Sequence, residues 1–334
     1  MRGVLGGALA LAGLLAAGGV EPITKVEVSL GDVSINKVPQ LVAADQGIYA
    51  KYGLDVHQTI SAGAARTAAA SGVVVPAGYV KQEGGERAPI EVGGGSPMIY
   101  GVVNNPNGHA RVIVLTQEAM AMDHLIGKPG IGRIEDLKGK RLGFSGVGSV
   151  THFSALSLAK QLGWAPDRDI TLVAGAATLD ALKQDKVDAI LSSAMVIAKA
   201  PAAGFTDIGE LTQYKLPMAG SGVMVDKAYL AEHRDTVLRF VKADLEATAL
   251  MQRDRAVFNA ALAKWFNITD AKTQDGMFAH VHKFEKKPYP SADGVKQVLA
   301  VYDSPAMRTH KPEEFYDASL IAELDKSGFL DNPK

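Results

Sequence analysis

Alternation of short apolar strands with amphipathic helices is the feature that most constrains the fold of this 334-residue chain. Strands are predicted at residues 25–30 and 54–60, on either side of a helix at residues 40–50. A strand, a helix and a second strand in that order predict a parallel βαβ unit. The same pattern starts again at residues 141–144, and after residue 225 only helices are predicted. We therefore expect two α/β units followed by a helical tail.

The two units are predicted to form two lobes that the chain connects twice. The first connection is expected near residues 119–126 and the return near residues 217–225. The first lobe would comprise residues 20–121 and 220–334, with the C-terminal helices packed on it, and the second lobe residues 122–219. Two connections make a hinge, and the cleft between two hinged lobes is a natural ligand site.

Composition excludes several classes of function. Lys and Arg number 35 and Asp and Glu 36, so the formal net charge of -1 gives no basic excess for a nucleic-acid partner. Cysteine is absent, which excludes thiolate nucleophiles, disulfides and Cys-ligated metal sites. The closest histidines, His280 and His282, do not face the same side of a helix. We therefore predict no catalytic residue, no cofactor and no metal site.

The first 19 residues have the form of a signal peptide. Arg2 precedes an apolar run at residues 4–17, which is too short for a comfortable membrane span. The alternative is a buried helix, but glycine is frequent in this segment and makes a poor helix. Small residues predict cleavage near Gly18–Val20, and hence export.

Residues 134–163 combine a strand, a loop of small and hydroxylic residues at 145–152, and an amphipathic helix. A strand that leads through such a loop into a helix directs N–H groups and the positive end of the helix dipole at one place. A small anion or polar group would bind there. The loop is not a nucleotide phosphate loop, because no Gly-Lys-Ser/Thr follows its glycines.

Candidate ligand residues follow from a rule of open α/β sheets, in which ligands bind beyond the carboxyl ends of the strands. The loops at that edge supply Asn36, Lys37, Ser61, Gly95, Ser96, Ser145, Gly148, Ser149, Val150, Thr151, His152, Ser193 and Met195.

Each candidate also has a plain structural interpretation. Ser149 or Thr151 would serve as an ordinary helix cap, Lys37 is better interpreted as a solvated surface lysine, and Met195 would fill a gap in the core. His152 would either donate a hydrogen bond in the cleft or lie in solvent. The six loops at the predicted edge contain hydroxyls and N–H groups but neither acidic nor aromatic residues, so a small anion is favoured over a cation.

Four segments resemble one known family. VPQLVAADQGIYAKYGLDV at residues 38–56 resembles the first helix and second strand of solute-binding proteins of ABC importers. Within that family, the resemblance is to the group that binds aliphatic sulfonates, taurine, nitrate and thiamine-pyrimidine precursors. Residues 135–173 and 178–205 resemble segments of its second lobe, and residues 315–330 resemble its C-terminal helix. The order and spacing of these segments cover nearly all of residues 25–330.

The resemblance implies a type II periplasmic binding protein, with two doubly wound lobes, a two-crossing hinge and a periplasmic location. It also implies a permease and an ATPase of the inner membrane as partners of a monomeric, non-catalytic receptor. The segment at residues 66–88 is longer than the family's usual helix and strand, and we expect a surface excursion there. The alternative is a same-fold enzyme of the thiamine-pyrimidine synthesis type, whose cysteine-rich motif this chain lacks.

Overall fold

The computed structural model describes residues 23–70, 73–82, 87–105, 109–192, 194–197 and 199–334. The predicted signal peptide, residues 1–19, lies outside the described residues. Within these ranges no helix is both long and apolar enough to span a bilayer.

The described strands form two sheets. They are β1 (Thr24–Leu30), β2 (Leu54–Ile60), β3 (Ile90–Gly94), β4 (Arg111–Thr116), β5 (His124–Gly127), β6 (Arg141–Phe144), β7 (Thr171–Ala174), β8 (Ala189–Ser192), β9 (Thr206–Glu210) and β10 (Ser221–Asp226).

The α-helices lie between the strands and, above all, after the last strand. They are α1 (Val38–Asp45), α2 (Ile48–Lys51), α3 (Ala62–Ala70), α4 (Gly95–Asn104), α5 (Val150–Gln161), α6 (Leu179–Lys183), α7 (Ala194–Ile197), α8 (Lys227–Glu232), α9 (Arg234–Arg253), α10 (Arg255–Phe266), α11 (Ala271–Val281), α12 (Ala292–Val301) and α13 (Ser319–Lys326).

The two sheets have the same kind of strand order. The first sheet runs β2-β1-β3-β10-β4 and the second β7-β6-β8-β5-β9. In each, three neighbouring strands are parallel, and the fourth, β10 or β5, is antiparallel to both of its neighbours. The predicted α/β class with two sheets is confirmed.

The predicted helix at residues 40–50 is two helices in the structure. Gly47 has a φ of 68° between α1 and α2. A left-handed residue cannot continue an α-helix, and glycine adopts this conformation without strain. The apolar spacing on either side is the same, which is why the sequence pattern does not reveal the break.

The chain passes between the two sheets twice, and the two passages are hydrogen-bonded to each other. Met120 forms an antiparallel bridge with Pro217. The N–H of Met218 donates to the carbonyl of Ala119 at 2.8 Å, and the N–H of Gln117 to that of Ser221 at 2.8 Å. We call these paired segments, residues 117–121 and 216–221, the crossing ribbon.

Apolar packing links the sheets as well as filling each one. Ile90 and Val92 of β3 are fully buried in the first sheet; burial of side chains of this size stabilises a fold by about 1.5–3 kcal/mol each. A second cluster joins Ile99 of α4 to Phe153 of α5 and to Tyr302, which follows α12. We predicted that the C-terminal helices pack on the first lobe; α12 in addition contacts α5 of the second sheet.

Candidate functional site

One parallel strand of each sheet, β3 and β6, leads into a helix that contacts the other helix. The start of α4, after β3, meets the start of α5, after β6. A Cβ on Gly94 would lie 2.6 Å from Cγ2 of Val150, so only glycine permits this approach. Two of the loops selected from the sequence, those before α4 and α5, therefore meet.

The loop at residues 145–152, here the α5 loop, is held by its own hydroxyls. Ser149 is the N-cap of α5, and its Oγ accepts from the N–H of His152 at 3.1 Å. Oγ1 of Thr151 accepts from the N–H of Ser145 at 2.9 Å and lies 3.1 Å from Oγ of Ser149. The capping interpretation of Ser149 holds, and Thr151 closes the loop on itself.

His152 is an acceptor in this structure. Its Nδ1 accepts from the N–H of Gly148 at 3.1 Å. Its ring stacks on Phe144 with centroids 4.4 Å apart and lies 5.2 Å from the ring of Tyr302. Burial lowers the pKa of His152 below its usual value, because the cation loses its hydration. The side chain is therefore a neutral imidazole that shapes the loop.

Two backbone donors of the α5 loop are left for a ligand. The N–H groups of Val150 and Thr151, in the first turn of α5, have no acceptor among the residues that the structure describes. First-turn N–H groups lack intrahelical partners and carry the positive end of the helix dipole. This arrangement suits an anionic or carbonyl oxygen.

Gly148 gives the α5 loop its place against the first sheet. Its φ is 80°, and a Cβ there would lie 2.4 Å from Cδ1 of Tyr100 on α4. The hydroxyl of Tyr302 donates to the carbonyl of Ser149 at 3.3 Å. The α5 loop is thus seated on α4 and on the end of α12.

On the first sheet, two predicted ligand residues hold the crossing ribbon. The N–H of Gly95 donates to the carbonyl of Gly220 at 2.9 Å. Ser96 is fully buried, and both its N–H and its Oγ donate to the carbonyl of Ala219. These groups fix α4 to the ribbon.

Ser61 and Lys37 have definite structural roles. Oγ of exposed Ser61 accepts from the N–H of Ala64 at 3.1 Å and so caps α3. The expectation of a solvated Lys37 is wrong, because its side chain is 2% exposed and its Nζ lies 2.9 Å from Oδ1 of Asp32. A buried ammonium needs such a partner, and Asp32 lies only five positions before it in the sequence.

The structure places two predicted residues less completely. Ser193 lies outside the described residues. Met195 lies on α7, a short helix packed against α11.

The excursion after α3 lines a small apolar cavity in its described part. Val80 pairs in parallel with Ile60, and Val73 is buried. With Tyr79 and Trp265, these segments enclose about 40 Å³ at the carboxyl ends of β1 and β2.

Sequence reasoning missed a buried carboxylate at this edge. Glu118 follows β4 and is 6% exposed. Its Oε2 accepts from Nδ2 of Asn36 at 2.9 Å, and its Oε1 lies 3.1 Å from Nε2 of His280. Nδ2 of Asn36 also donates to Oγ of Ser221 at 2.7 Å. We call these four residues the Glu118 cluster. It would have been identified from the sequence if the loop after β4 had been included among the candidate ligand loops.

A second, half-buried carboxyl lies close by on the ribbon side of β5. Oδ2 of Asp123 accepts from Oγ of Ser154 at 2.5 Å. Burial raises the pKa of Asp123 to about 6, and the charge of Glu118 adds to this shift. The region between the sheets therefore carries negative charge that the loops considered from sequence did not indicate.

An ion pair also joins the two halves close to the ribbon, since the N–H of Glu285 donates to the carbonyl of Gln117 at 2.9 Å. Nζ of Lys283, after α11, lies 2.7 Å from Oε1 of Glu210 at the end of β9. Within the described part of the chain, no group of three or more His, Asp or Glu side chains is placed to hold a metal ion.

Comparison with known proteins agrees with this architecture. Residues 111–255 match the family model described as NMT1/THI5 like. A putative ABC transporter periplasmic binding protein of Brachyspira hyodysenteriae is 23% identical over 168 residues, 50% of this chain and 47% of that protein. The match thus spans about half the length of this curated relative.

Solved structures match over most of the chain. The nitrate-binding protein NrtA of Synechocystis PCC 6803 superposes with a TM-score of 0.68 at 11% identity, covering 91% of this chain and 89% of that one. The aliphatic sulphonate binding protein SsuA of Escherichia coli gives 0.62 at 17% identity, covering 88% and 99%. The chain has the periplasmic binding protein fold. The desulfurization enzyme DszB shares this fold, with a TM-score of 0.59 at 12% identity over 91% of this chain and 99% of that one.

Proposed function

We propose that this protein is the extracytoplasmic substrate-binding component of an ABC import system. It captures a small organic solute between the two sheets and delivers it to a membrane permease. The observation that carries the proposal is the contact between the starts of α4 and α5, from the two sheets, together with the crossing ribbon that holds the Glu118 cluster. The similarity to binding proteins for sulphonate and nitrate supports it.

The mechanism is closure of one sheet unit on the other around the ribbon. A ligand that contacts both units stabilises the closed arrangement over the open one. The free N–H groups of Val150 and Thr151 bind an anionic group of the solute at the start of α5. The ion pair between Lys283 and Glu210 contributes at the rim.

Location and partners follow from the same proposal. The signal-peptide pattern at residues 1–19 directs export to the periplasm, with cleavage near Gly18–Val20. There the protein works as a monomer that meets a permease and its ATPase at the inner membrane. The periplasmic relative supports this location.

The alternative is an enzyme on the same fold. The match to the NMT1/THI5 like model and the shared fold of DszB keep it open to test. The described site holds a neutral His152 and buried carboxyls but no cysteine. We favour a non-catalytic receptor because the polar groups of the α5 loop are used to hold the loop.

A thermal-shift screen of sulfonates, nitrate, carboxylates and pyrimidines tests the proposal. A bound solute raises the melting temperature in proportion to the logarithm of its concentration over Kd, with one site per chain and an unchanged solute on recovery. Turnover of a compound, with no stoichiometric binder in any class, would contradict the receptor function.

The variant Val150→Pro tests the anion site. Proline fits the first position of a helix and removes one free N–H. Loss of a hydrogen bond to a charged group lowers affinity about tenfold or more, with little change in melting temperature. Ala271→Pro, at the first position of α11, is the matched control and leaves affinity unchanged. Equal affinities in the two variants would show that the start of α5 does not bind the solute.

A further inference from the structure

Glu118 lacks the lysine or arginine partner that most buried charged groups of the described residues have; Asp244, which accepts from the side-chain amides of Gln40 and Gln117, is another exception. Buried Arg111 is paired with Glu91 and Asp226, buried Lys37 with Asp32, and Glu246 of α9 with Lys51. Among the described residues, no lysine or arginine lies within ion-pair distance of Glu118. His280 is its one basic neighbour, and a histidine is a cation only when it is protonated.

A buried acceptor without a donor lies beside this carboxylate. Oδ1 of Asn36 is buried and has no hydrogen-bond partner. The carboxylate of Glu118 fixes the orientation of this amide, because an ionised carboxylate only accepts hydrogen bonds and must face Nδ2. Oδ1 is thereby directed away from Glu118 and is left without a donor.

One chemical group could satisfy both the carboxylate of Glu118 and the unpartnered Oδ1 of Asn36. A buried carboxylate that lacks a cation destabilises a protein by several kcal/mol, and a buried orphan acceptor by about 1–3 kcal/mol. The charge of Asp123 adds repulsion to that of Glu118. A positively charged N–H group placed here would neutralise Glu118, donate to Asn36 and relieve the repulsion.

The position of the Glu118 cluster connects it to the cleft. Asn36 follows β1, Glu118 follows β4 and Ser221 begins the antiparallel β10, so all three lie at the edge where ligands bind. A Cβ on Gly220 would lie 3.0 Å from Cβ of Glu118. Gly220 is hydrogen-bonded to Gly95 at the start of α4, next to the contact of α4 with α5.

We propose that Glu118, together with the amide oxygen of Asn36, binds a protonated amine or amidine group of the solute. The inference rests on the proposed receptor function and narrows its ligand to solutes that carry both a cationic nitrogen and an anionic group. The anionic group binds at the start of α5 and the nitrogen at Glu118. The sequence favoured a plain anion because the loop after β4 was not among those considered.

Matched pairs of compounds test the inference by calorimetry and thermal shift. The pairs are 2-aminoethanesulfonate with 2-hydroxyethanesulfonate, and 4-aminobutanoate with butanoate. The amine-bearing member of at least one pair is expected to bind tenfold or more tightly than its partner. Equal binding within both pairs, or no binding of any member, would overturn the inference.

The variant Glu118→Gln gives a second, ligand-free test. It removes the charge and keeps the size, so we expect the melting temperature of the empty protein to stay the same or rise, and the preference for amines to disappear. Glu246→Gln is the matched control, since its carboxylate accepts from Nζ of Lys51 at 2.8 and 2.7 Å. It should lower the melting temperature and keep the amine preference.

The outcomes separate the two proposals. A melting temperature of Glu118→Gln several degrees below that of the unaltered protein would show that His280 and Asn36 already satisfy the carboxylate, and would overturn the inference. Tight binding of amine-free sulfonates or carboxylates would also overturn it while the receptor function stands. If no compound in the broader screen binds, the proposed receptor function itself is contradicted.

Discussion

The α5 loop and the Glu118 cluster are both polar, but they are built in opposite ways. The hydrogen bonds made by the α5 loop's own side chains join residues at most six positions apart. In the Glu118 cluster they join residues 82, 162 and 185 positions apart. The loop satisfies its own side chains and leaves backbone donors, whereas the cluster leaves a carboxylate without a cation and an orphan acceptor. Local satisfaction gives a rigid support, and we interpret the incomplete satisfaction of the Glu118 cluster, at the edge where ligands bind, as a place for a partner.

Gly148→Ala should have the largest effect on the free energy of unfolding, because it disrupts the packing of the α5 loop against α4. The variant places a Cβ in a left-handed residue and 2.4 Å from the ring of Tyr100. Strain and overpacking together should lower the free energy of unfolding by about 2–4 kcal/mol, measured by urea unfolding. Gly146→Ala is the control, since a Cβ at Gly146 meets nothing within 4 Å. Similar losses in both variants would mean that the α5 loop is not seated on α4.

Asp244→Asn should have an intermediate effect of the opposite sign. Asp244 of α9 is fully buried and accepts only from the side-chain amides of Gln40 and Gln117. Burial raises its pKa to about 7. The folded state therefore binds this proton more tightly than the unfolded state, and the stability that the proton provides is lost as pH rises from about 4 to about 7.

At pH 8, Asp244→Asn should raise the free energy of unfolding by about 1–3 kcal/mol. Between pH 4 and 7, the free energy of unfolding of the variant should decrease less than that of the unaltered protein. The unpartnered Oε1 of Gln117 can accept from the new amide. Asp188→Asn is the control, since hydrogen bonds from the guanidinium of Arg141 lower the pKa of that carboxyl. That variant should be destabilised at pH 8, and a stabilised Asp188→Asn would contradict the comparison.

Lys283→Met should have the smallest effect on stability. The lysine is 43% exposed, and exposed ion pairs contribute less than about 1 kcal/mol. Because Lys283 and Glu210 come from different halves of the molecule, the variant should weaken solute binding by up to about fivefold in calorimetry. Lys287→Met, which removes the pair with Asp325, leaves affinity unchanged. An unaltered affinity in both would show that the pair does not contribute to closure.

The same contrast explains what the sequence could predict. Strand and helix periodicity, the cap at Ser149 and the family resemblance depend on residues close in the chain, and they gave the two α/β sheets and the loop–helix start. The burial of Lys37 was not predicted, because a lysine that follows an aspartate closely in the sequence shows the same local pattern whether it is buried or exposed. The Glu118 cluster was missed because Asn36 follows β1, Ser221 lies on β10 and His280 lies on α11, all far from Glu118 in the sequence. Periodicity carries no information about contacts of that length.

The crossing ribbon has a mechanical consequence. Two strands tied by hydrogen bonds between Gln117 and Ser221 and between Ala119 and Met218 resist sliding, since the bonds would break together, but they twist with little resistance. The ribbon therefore acts as a hinge whose one low-energy motion is twisting. Glu118 lies on the ribbon itself and moves little when the ribbon twists, whereas Lys283 and Glu210 lie on the elements that the ribbon connects. A charge held on the axis keeps the same place in the open and the closed molecule.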